Sequence, residues 1–192
     1  MTLRPILIHP DPRLKKCAEP VTQVTAELRA AADDMLKTMY DAPGIGLAGP
    51  QIGLMSRIIV MDCVKDKEAA PQVGVTKRLL VMDCIKEGPP EPMVLVNPVT
   101  VWASEDVSAY EEGCLSIPDQ YAEVRRPAAV TVRWTDLDGG EQERTFEELW
   151  ATCVQHEIDH LNGRLFIDYL TPLKRQLITR KMEKLKRERA RL

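Results

Sequence analysis

The chain has 192 residues, of which 44% are hydrophobic and 29% charged, with a formal net charge of −3. This is the length and balance of one ordinary globular domain with a buried core. Five widely spaced cysteines give no disulfide framework, and no apolar run is long enough for a signal peptide or a membrane span, so we expect a cytoplasmic protein with no membrane partner.

The first predicted helix covers residues 25–41, with Thr25 as a suitable N-cap. Its apolar stripe consists of Leu28, Met35, Leu36 and Met39. The glycine-rich stretch GIGLAGPQIG follows at 44–53 and is predicted to be loop or irregular strand. Short β-like runs are then predicted at 57–61, 79–82, 93–96, 99–102, 129–134 and 142–146.

Two of these runs belong to segments that are near-copies of each other. Residues 57–65 read RIIVMDCVK, and residues 78–86, 21 positions further on, read RLLVMDCIK. Two copies are too few for a repeat architecture, so a local tandem duplication is the simpler interpretation. We expect one copy to supply a core strand and the other an added hairpin or flap, and the sequence does not say which.

The second long helix is predicted over residues 147–161, with capping-box spacing between Thr145 and Glu148. It contains the pattern His-Glu-x-x-His, with His156 and His160 as two of the three histidines in the chain. Side chains four positions apart lie on one face of a helix, so both imidazoles can reach the same metal ion. Chance can also produce this pattern in an amphipathic helix.

A third candidate ligand, Cys114, lies in the segment EGCLS about forty residues before that helix. A thiolate with two imidazoles gives three ligands and leaves a fourth position open, as in catalytic rather than structural metal sites. Glu157 would stand beside the open position, where it can move protons, and Gly113 would let the backbone approach the metal. Taken alone, Cys114 fits a buried structural cysteine better than a ligand.

Strands and helices do not alternate regularly, which favours an α+β fold. We expect mixed or antiparallel sheets wrapped around a central helix that carries the His-Glu-x-x-His pattern, followed by a C-terminal helix. Residues 1–170 are predicted to form a single catalytic domain, and 171–192 a basic C-terminal helix of the same domain. This tail has nine Lys or Arg and two Glu, a charge of +7, which leaves −10 for the rest of the chain. The asymmetry indicates either contact with nucleic acid or a solvated helix held by i,i+4 pairs.

Together the motifs resemble those of the peptide deformylases. The family has three motifs in the order found here, which are GIGLAGPQ at 44–51, EGCLS at 112–116 and QHEIDHL at 155–161. The second and third match the family pattern fully, and the resemblance covers the chain nearly end to end. It implies a hydrolase that removes the N-terminal formyl group from formyl-methionyl nascent polypeptides and releases formate.

The resemblance implies the catalytic residues as well. The residues that match the family's metal ligands are Cys114, His156 and His160. The ion would be Fe²⁺ most often, with Zn²⁺, Ni²⁺ or Co²⁺ as substitutes. Glu157 matches the general acid/base, and the donors that polarise the formyl carbonyl match the Gln51 amide and the backbone N–H of Leu115.

The resemblance further indicates a substrate site and a partner. The residues expected to bind the formyl peptide are Gly44, Ile45, Gly46, Glu112 and Gly113. Ile45 and Leu115 would help line an apolar pocket for the methionine side chain. In bacterial deformylases the C-terminal helix docks on the ribosome, so the basic tail is a candidate for that contact.

The sequence departs from the family pattern in two places. Gly49 and Pro50 stand where the family commonly has alanine and an apolar residue, which loosens the backbone at one position and removes an N–H donor at the next. We expect activity to persist and the fit of the substrate to shift. The duplication lengthens the span 57–98, and an extra hairpin near the cleft would narrow the substrate entrance, whereas one at the far edge would be neutral.

Three other interpretations of the residues stay open at this point. A zincin-type metalloprotease shares His-Glu-x-x-His, but only Asp168 would be available downstream as its third ligand. A cysteine hydrolase would use Cys114 as nucleophile and His156 as base. A non-catalytic deformylase-like protein would hold a structural metal and bind ribosomes, although it would have no use for Glu157 or Gln51.

Overall fold

The computed structural model describes residues 2–65, 86–87 and 89–189. Its α-helices are α1 (Ala26–Asp41), α2 (Glu148–Leu161) and α3 (Pro172–Arg189). Its strands are β1 (Gly46–Ala48), β2 (Ile58–Met61), β3 (Val64–Lys65), β4 (Lys86–Glu87), β5 (Met93–Ala103), β6 (Val107–Cys114), β7 (Ile117–Pro127), β8 (Ala129–Thr135) and β9 (Glu141–Glu147). Short 3-10 helices lie at Pro12–Lys15, Gly49–Ile52 and Phe166–Tyr169.

The main sheet has five antiparallel strands in the order β1-β2-β5-β8-β9. Strands β6 and β7 form a separate antiparallel hairpin, and β3 and β4 form a short parallel pair. Helix α2 packs on the sheet and also contacts β7. The predicted α+β class, with antiparallel sheets around the central helix, is confirmed.

Strand β2 is buried on both faces, because its sequence is the uninterrupted apolar run IIVM. Successive side chains of a strand point to opposite faces. Accordingly Ile58 and Val60 pack in one cluster with residues of α1, and Ile59 and Met61 pack in another with residues of α2. The Thr25 hydroxyl caps α1 by accepting from the Leu28 N–H, as predicted.

A third apolar cluster seats the C-terminal helix. Ile178 and Met182 of α3 are buried against Ile117 of β7 and Phe166 of the third 3-10 helix. The basic tail is therefore attached to the body of the protein through a narrow apolar stripe.

Two features of the strands and helices differ from the prediction. Thr145 does not cap α2, because it lies in β9 and its hydroxyl hydrogen-bonds that of Thr131 at 2.9 Å. The N-cap residue of α2 is Glu147, which makes no side-chain capping bond. The runs predicted at 93–96 and 99–102 are one strand, β5, whose register against β8 shifts between Val96 and Val99, across Pro98, and again between Thr100 and Trp102. Proline has no N–H for the ladder, which explains the first of these two shifts.

The first copy of the duplicated segment supplies the core strand β2. The run predicted at 79–82 in the second copy lies outside the described residues. Close to the start of the span between the two copies, Oδ1 of buried Asp62 accepts from the backbone N–H groups of Val64 at 3.0 Å and Glu91 at 3.3 Å. Its Oδ2 accepts from the Tyr40 hydroxyl at 2.6 Å. One carboxylate thus ties the chain at Val64 to the chain at Glu91.

Within the described ranges, no helix is both long enough and apolar enough to span a lipid bilayer.

Phe146→Ala is expected to destabilise the fold by about 3–5 kcal/mol, the usual loss for a buried phenylalanine. Phe146 is 1% exposed and its ring lies 6.0 Å from that of Trp134 and 6.3 Å from that of Trp150. Urea denaturation measures the change. Val101→Ala, at a side chain that is 43% exposed, is the control and should change the free energy of unfolding by less than about 0.5 kcal/mol. Equal losses in the two variants would contradict this description of the core.

Candidate metal centre and active site

Helix α2 places three polar side chains inside the protein. His156, Glu157 and His160 are all buried, at 8%, 4% and 1% exposure. The two imidazole rings lie edge to face with their centroids 5.0 Å apart, as the i,i+4 spacing predicts. Buried polar groups need partners, and the rest of the site supplies them.

Cys114 ends strand β6 at a point where the register against β7 shifts, between Gly113 and Cys114. This irregularity turns the thiol toward α2, where its Sγ lies 3.2 Å from Nε2 of His160. One ligand atom from each of Cys114, His156 and His160 lies within 4.8 Å of the others. Two imidazole nitrogens and one cysteine sulfur at this separation suit a tetrahedral ion that keeps one position free. The donor set therefore fits a divalent transition metal.

A chain of buried charges orients His156. Its Nδ1 lies 2.9 Å from Oε2 of Glu112, which leaves Nε2 to face the other two ligands. Glu112 is in turn held by Arg126 through two hydrogen bonds, of 2.6 Å from Nε and 3.0 Å from Nη2. Arg126 also donates to Oδ2 of Asp159 at 2.8 Å, and Asp159 accepts from the Tyr169 hydroxyl at the same distance. Carboxylate–histidine pairs of this kind fix the ring orientation of metal ligands.

These contacts shift the pKa values of the group. Burial alone would raise the pKa of Glu112, but hydrogen bonds from His156 and Arg126 hold it at about 2. Desolvation lowers the pKa of His156, yet hydrogen bonds to Cys114 and Glu112 outweigh it and leave that pKa well above the usual range. The pKa of His160 falls well below the usual range, because of desolvation and the nearby His156.

Glu157 has free acceptor capacity in the site, and the Nδ1 atom of His160 is likewise without a hydrogen-bond partner among the described residues. Among the described residues Oε2 of Glu157 has no hydrogen-bond partner, although the atom is buried. Desolvation raises the pKa of Glu157 to about 7. A side chain at position 46 would collide with it, since a Cβ there would lie 2.4 Å from its Oε1 and 2.9 Å from Sγ of Cys153. Gly46 is therefore required for the carboxylate to occupy its position.

Gln51 reaches the metal ligands from the second 3-10 helix. Its Oε1 accepts from the Ala48 N–H at 2.8 Å, and this bond fixes which end of the amide faces the site. Its Nε2 lies 3.5 Å from Sγ of Cys114 and 3.3 Å from Oγ of Ser116. An N–H donor therefore lies beside the predicted ligand Cys114.

The departures at Gly49 and Pro50 fit this local structure. A Cβ at Gly49 would lie 2.7 Å from the Leu54 carbonyl oxygen and 2.8 Å from that of Ser56, so the chain packs too closely there for any side chain. Pro50 lies in the first turn of the 3-10 helix, where a backbone N–H has no helical acceptor. Neither residue disturbs Gln51.

The residues predicted to bind substrate lie around the same site. Gly44 packs against Leu115, since a Cβ at Gly44 would lie 2.7 Å from Leu115 Cδ1. The Ile45 carbonyl accepts from the Asp62 N–H at 2.9 Å, and Gly46 begins β1, a terminal strand of the main sheet.

Glu112 differs from the other predicted substrate residues in its environment. Its side chain is committed to Arg126 and His156, which leaves only its backbone for any contact with a substrate. Gly113, next to it, packs under the Tyr121 ring, 2.6 Å from where its Cβ would be.

Sequence reasoning missed Arg126 and Tyr169 and the part played by Asp159. A buried glutamate requires a buried cation, and the pair of arginines at 125 and 126 was the available signal for one. Asp168, the third ligand that a zincin would need, pairs instead with Lys15 and Arg175. The downstream ligand of that interpretation is thus engaged elsewhere.

Comparison with known proteins agrees with this geometry. The family model described as polypeptide deformylase matches residues 3–69 and 68–176. A peptide deformylase of Rhizobium meliloti is 52% identical over 96% of this chain and 94% of its own length, and one of Bradyrhizobium diazoefficiens is 53% identical over 96% and 97%.

Solved structures show the same likeness. The peptide deformylase of Legionella pneumophila superposes with a TM-score of 0.80 at 43% identity, covering 100% of this chain and 99% of that one. That of Ehrlichia chaffeensis in complex with actinonin gives 0.82 at 35% identity, covering 97% and 99%. With its Cys-His-His group on the expected elements and relatives matched over nearly their full length, the chain belongs to the peptide deformylase family.

Proposed function

We propose that this metallohydrolase removes the N-terminal formyl group from formyl-methionyl nascent polypeptides and releases formate. The observation that carries the proposal is the convergence of Cys114, His156 and His160 on one point beside Glu157. A structural metal site has no need of a buried carboxylate oxygen without a partner among the described residues. The named relatives are peptide deformylases, which agrees with this activity.

Cys114, His156 and His160 would hold one divalent cation, Fe²⁺ in the cell, with Zn²⁺, Ni²⁺ or Co²⁺ as substitutes. When bound, such an ion polarises a carbonyl oxygen and lowers the pKa of water toward neutrality. The thiolate and imidazoles accept several of these ions, so metal supply rather than ligand type decides between them.

Glu157 is the general acid/base in this proposal. Its Oε2 takes a proton from the attacking water and delivers it to the nitrogen that leaves with the peptide. The carboxylate is buried next to Gly46, and the absence of a competing donor among the described side chains keeps its Oε2 available.

Gln51 and the backbone N–H of Leu115 are proposed to stabilise the oxyanion that forms on the formyl carbonyl. The bond from Ala48 to Oε1 leaves the Nε2 donor facing the site before substrate arrives. Such preorganised donors are worth about 10²–10³ in rate each.

The substrate backbone is proposed to lie along the open edge of β1, as an added strand next to Gly44, Ile45 and Gly46. Strand addition uses main-chain hydrogen bonds and therefore accepts many sequences after the first residue. The backbone of Glu112 and Gly113 would border the same groove, and Ile45 with Leu115 would line the methionine pocket.

Residues 1–170 are proposed to work as one catalytic domain, with 171–192 as its C-terminal helix, in the cytoplasm where nascent chains are made. The helix would also carry the enzyme to ribosomes. Its exposed basic side chains are Lys174, Arg180, Lys181, Lys184, Lys186, Arg187 and Arg189. Phosphate contacts by such residues make binding to RNA strongly dependent on salt.

Formate release from a formyl-Met-Ala-Ser peptide tests the activity. We expect Glu157→Gln to lower kcat by about 10²–10⁴, with metal content unchanged, because only proton transfer is removed. A chelator should abolish turnover of the wild-type protein, and added Fe²⁺ or Ni²⁺ should restore it. Glu123→Gln, an exposed glutamate of β7, is the control and should behave as wild type. Bound metal without formate release by the wild-type protein would refute the proposed function.

Glu112→Gln is expected to weaken metal affinity by about 10–100-fold, the usual effect of losing the carboxylate behind a ligating histidine. The matched control is Glu111→Gln, the exposed neighbour on the same strand, which should keep wild-type affinity. Competition with a chromophoric chelator gives both affinities. Equal affinities for the two variants would show that Glu112 does not support His156.

Truncation after residue 170 tests ribosome binding, and the truncated protein should not bind. In cosedimentation, the full chain should bind ribosomes at low salt and lose binding steeply as salt rises. The charge-reversal variant Lys184→Glu/Arg187→Glu, which keeps the buried stripe of α3 intact, should lose most of the binding. Undiminished binding by the truncated protein or by the charge-reversal variant would show that the C-terminal helix does not bind ribosomes.

A further inference from the structure

A segment near the N-terminus joins the two loops that carry the proposed oxyanion donors. The Leu7 N–H donates to the Gln51 carbonyl at 2.7 Å, and the His9 N–H donates to the Ser116 carbonyl at 2.9 Å. Gln51 lies in the 3-10 helix after β1, and Ser116 in the turn between β6 and β7, one residue beyond Leu115. Residues 7–9 therefore bridge two parts of the chain that are 65 positions apart.

The side chain of His9 ties this bridge to the C-terminal helix. Its Nε2 lies 3.0 Å from Oγ1 of Thr179 on α3, and His9 is only 7% exposed. Among the described residues its Nδ1 has no hydrogen-bond partner, so Thr179 is the one side chain there that hydrogen-bonds the ring. A buried polar ring with a single bond contributes little to stability compared with an apolar residue of that size.

The seat of α3 does not require this bond. Ile178 and Met182 already bury the helix against the cluster around Phe166, and Lys181 makes a separate contact to Oε1 of Gln120 at 3.1 Å. The His9–Thr179 bond instead fixes the position of the bridge relative to α3. The bridge in turn holds the backbone carbonyls of Gln51 and Ser116. The Gln51 amide also donates to the Ser116 hydroxyl, so a shift of either loop moves the donor.

We propose that His9 is a positioning residue for the deformylation reaction, and that it acts by holding the bridge of residues 7–9 against α3 so that the Gln51 donor keeps its place. The proposal rests on the proposed function. Oxyanion donors work only when they are aimed to within a fraction of an ångström, and misplacement by about 1 Å costs about 10²-fold in rate. Loosening the bridge should therefore lower kcat and leave KM unchanged, because the donor is used in the transition state.

Thr179→Val is the test variant, because it removes the hydroxyl and keeps the shape of the side chain. We expect kcat for formate release to fall by about tenfold, with KM and metal content unchanged and Tm lowered by only a few degrees, because the buried ring of His9 loses its hydrogen-bond partner. Thr179→Ser restores the hydroxyl and should recover wild-type kcat. Gln120→Ala removes the Lys181 contact of α3 without touching His9, and it should leave kcat unchanged.

A double-mutant cycle with Gln51→Ala shows whether the effect passes through that donor. If it does, Thr179→Val has no further effect once the amide is gone. Independent losses that multiply in the double variant would overturn the proposal, as would a Thr179→Val protein with wild-type kcat.

Hydrogen exchange at the Leu7 and His9 amides measures how firmly the bridge is held, independently of enzyme turnover. Thr179→Val should speed exchange at both, while Gln120→Ala should not. Unchanged exchange of the Leu7 and His9 amides in Thr179→Val would refute the positioning role of His9 even if kcat fell. A wild-type protein that releases no formate would instead refute the proposed function, and the exchange rates would still decide whether the bridge exists.

Discussion

The buried charges that run from Arg126 through Glu112 to His156 constrain most of the structure. Each ion taken out of water costs several kcal/mol, and only near-ideal pairing offsets that loss. Glu112 and Arg126 lie on the two strands of the β6–β7 hairpin, and His156 lies on α2. A one-residue slip of the hairpin, or a rotation of α2 by one residue, would leave a buried charge unpaired. Hairpin register, helix orientation and the direction of the imidazole are therefore fixed together.

Apolar packing surrounds this polar centre and leaves it little freedom. The cluster between the sheet and α2 borders it through Cys153, and the cluster that seats α3 borders it through Cys114. The space beside Glu157 is so small that position 46 admits only glycine. The ligands lie on a helix and at the end of a strand, so their positions are set by rigid elements rather than by a mobile loop.

Part of this could be predicted from the sequence. The His-Glu-x-x-His spacing and the EGCLS segment predicted the metal group, since their chemistry is local, and the IIVM run predicted a core strand. The hairpin β6–β7 was missed, because its exposed face is charged and its pattern mixes polar and apolar residues. Arg126 has no spacing relative to Glu112 that a one-dimensional pattern could reveal, since the two meet only across the hairpin. The roles of the substrate residues Gly44, Ile45, Gly46 and Gly113 stay predictions.

The carboxylate of Asp62 has a consequence for how this chain could have acquired its extra length. Val64 pairs with Lys86 in adjacent short strands, and neighbouring strands lie about 4.8 Å apart, close to the 3.8 Å between consecutive residues. Excising the 21 residues from 65 to 85 would join partners that already lie side by side and would preserve the two backbone N–H bonds that Asp62 accepts. A segment whose ends meet in this way can be shortened or lengthened without changing the strand order of the main sheet.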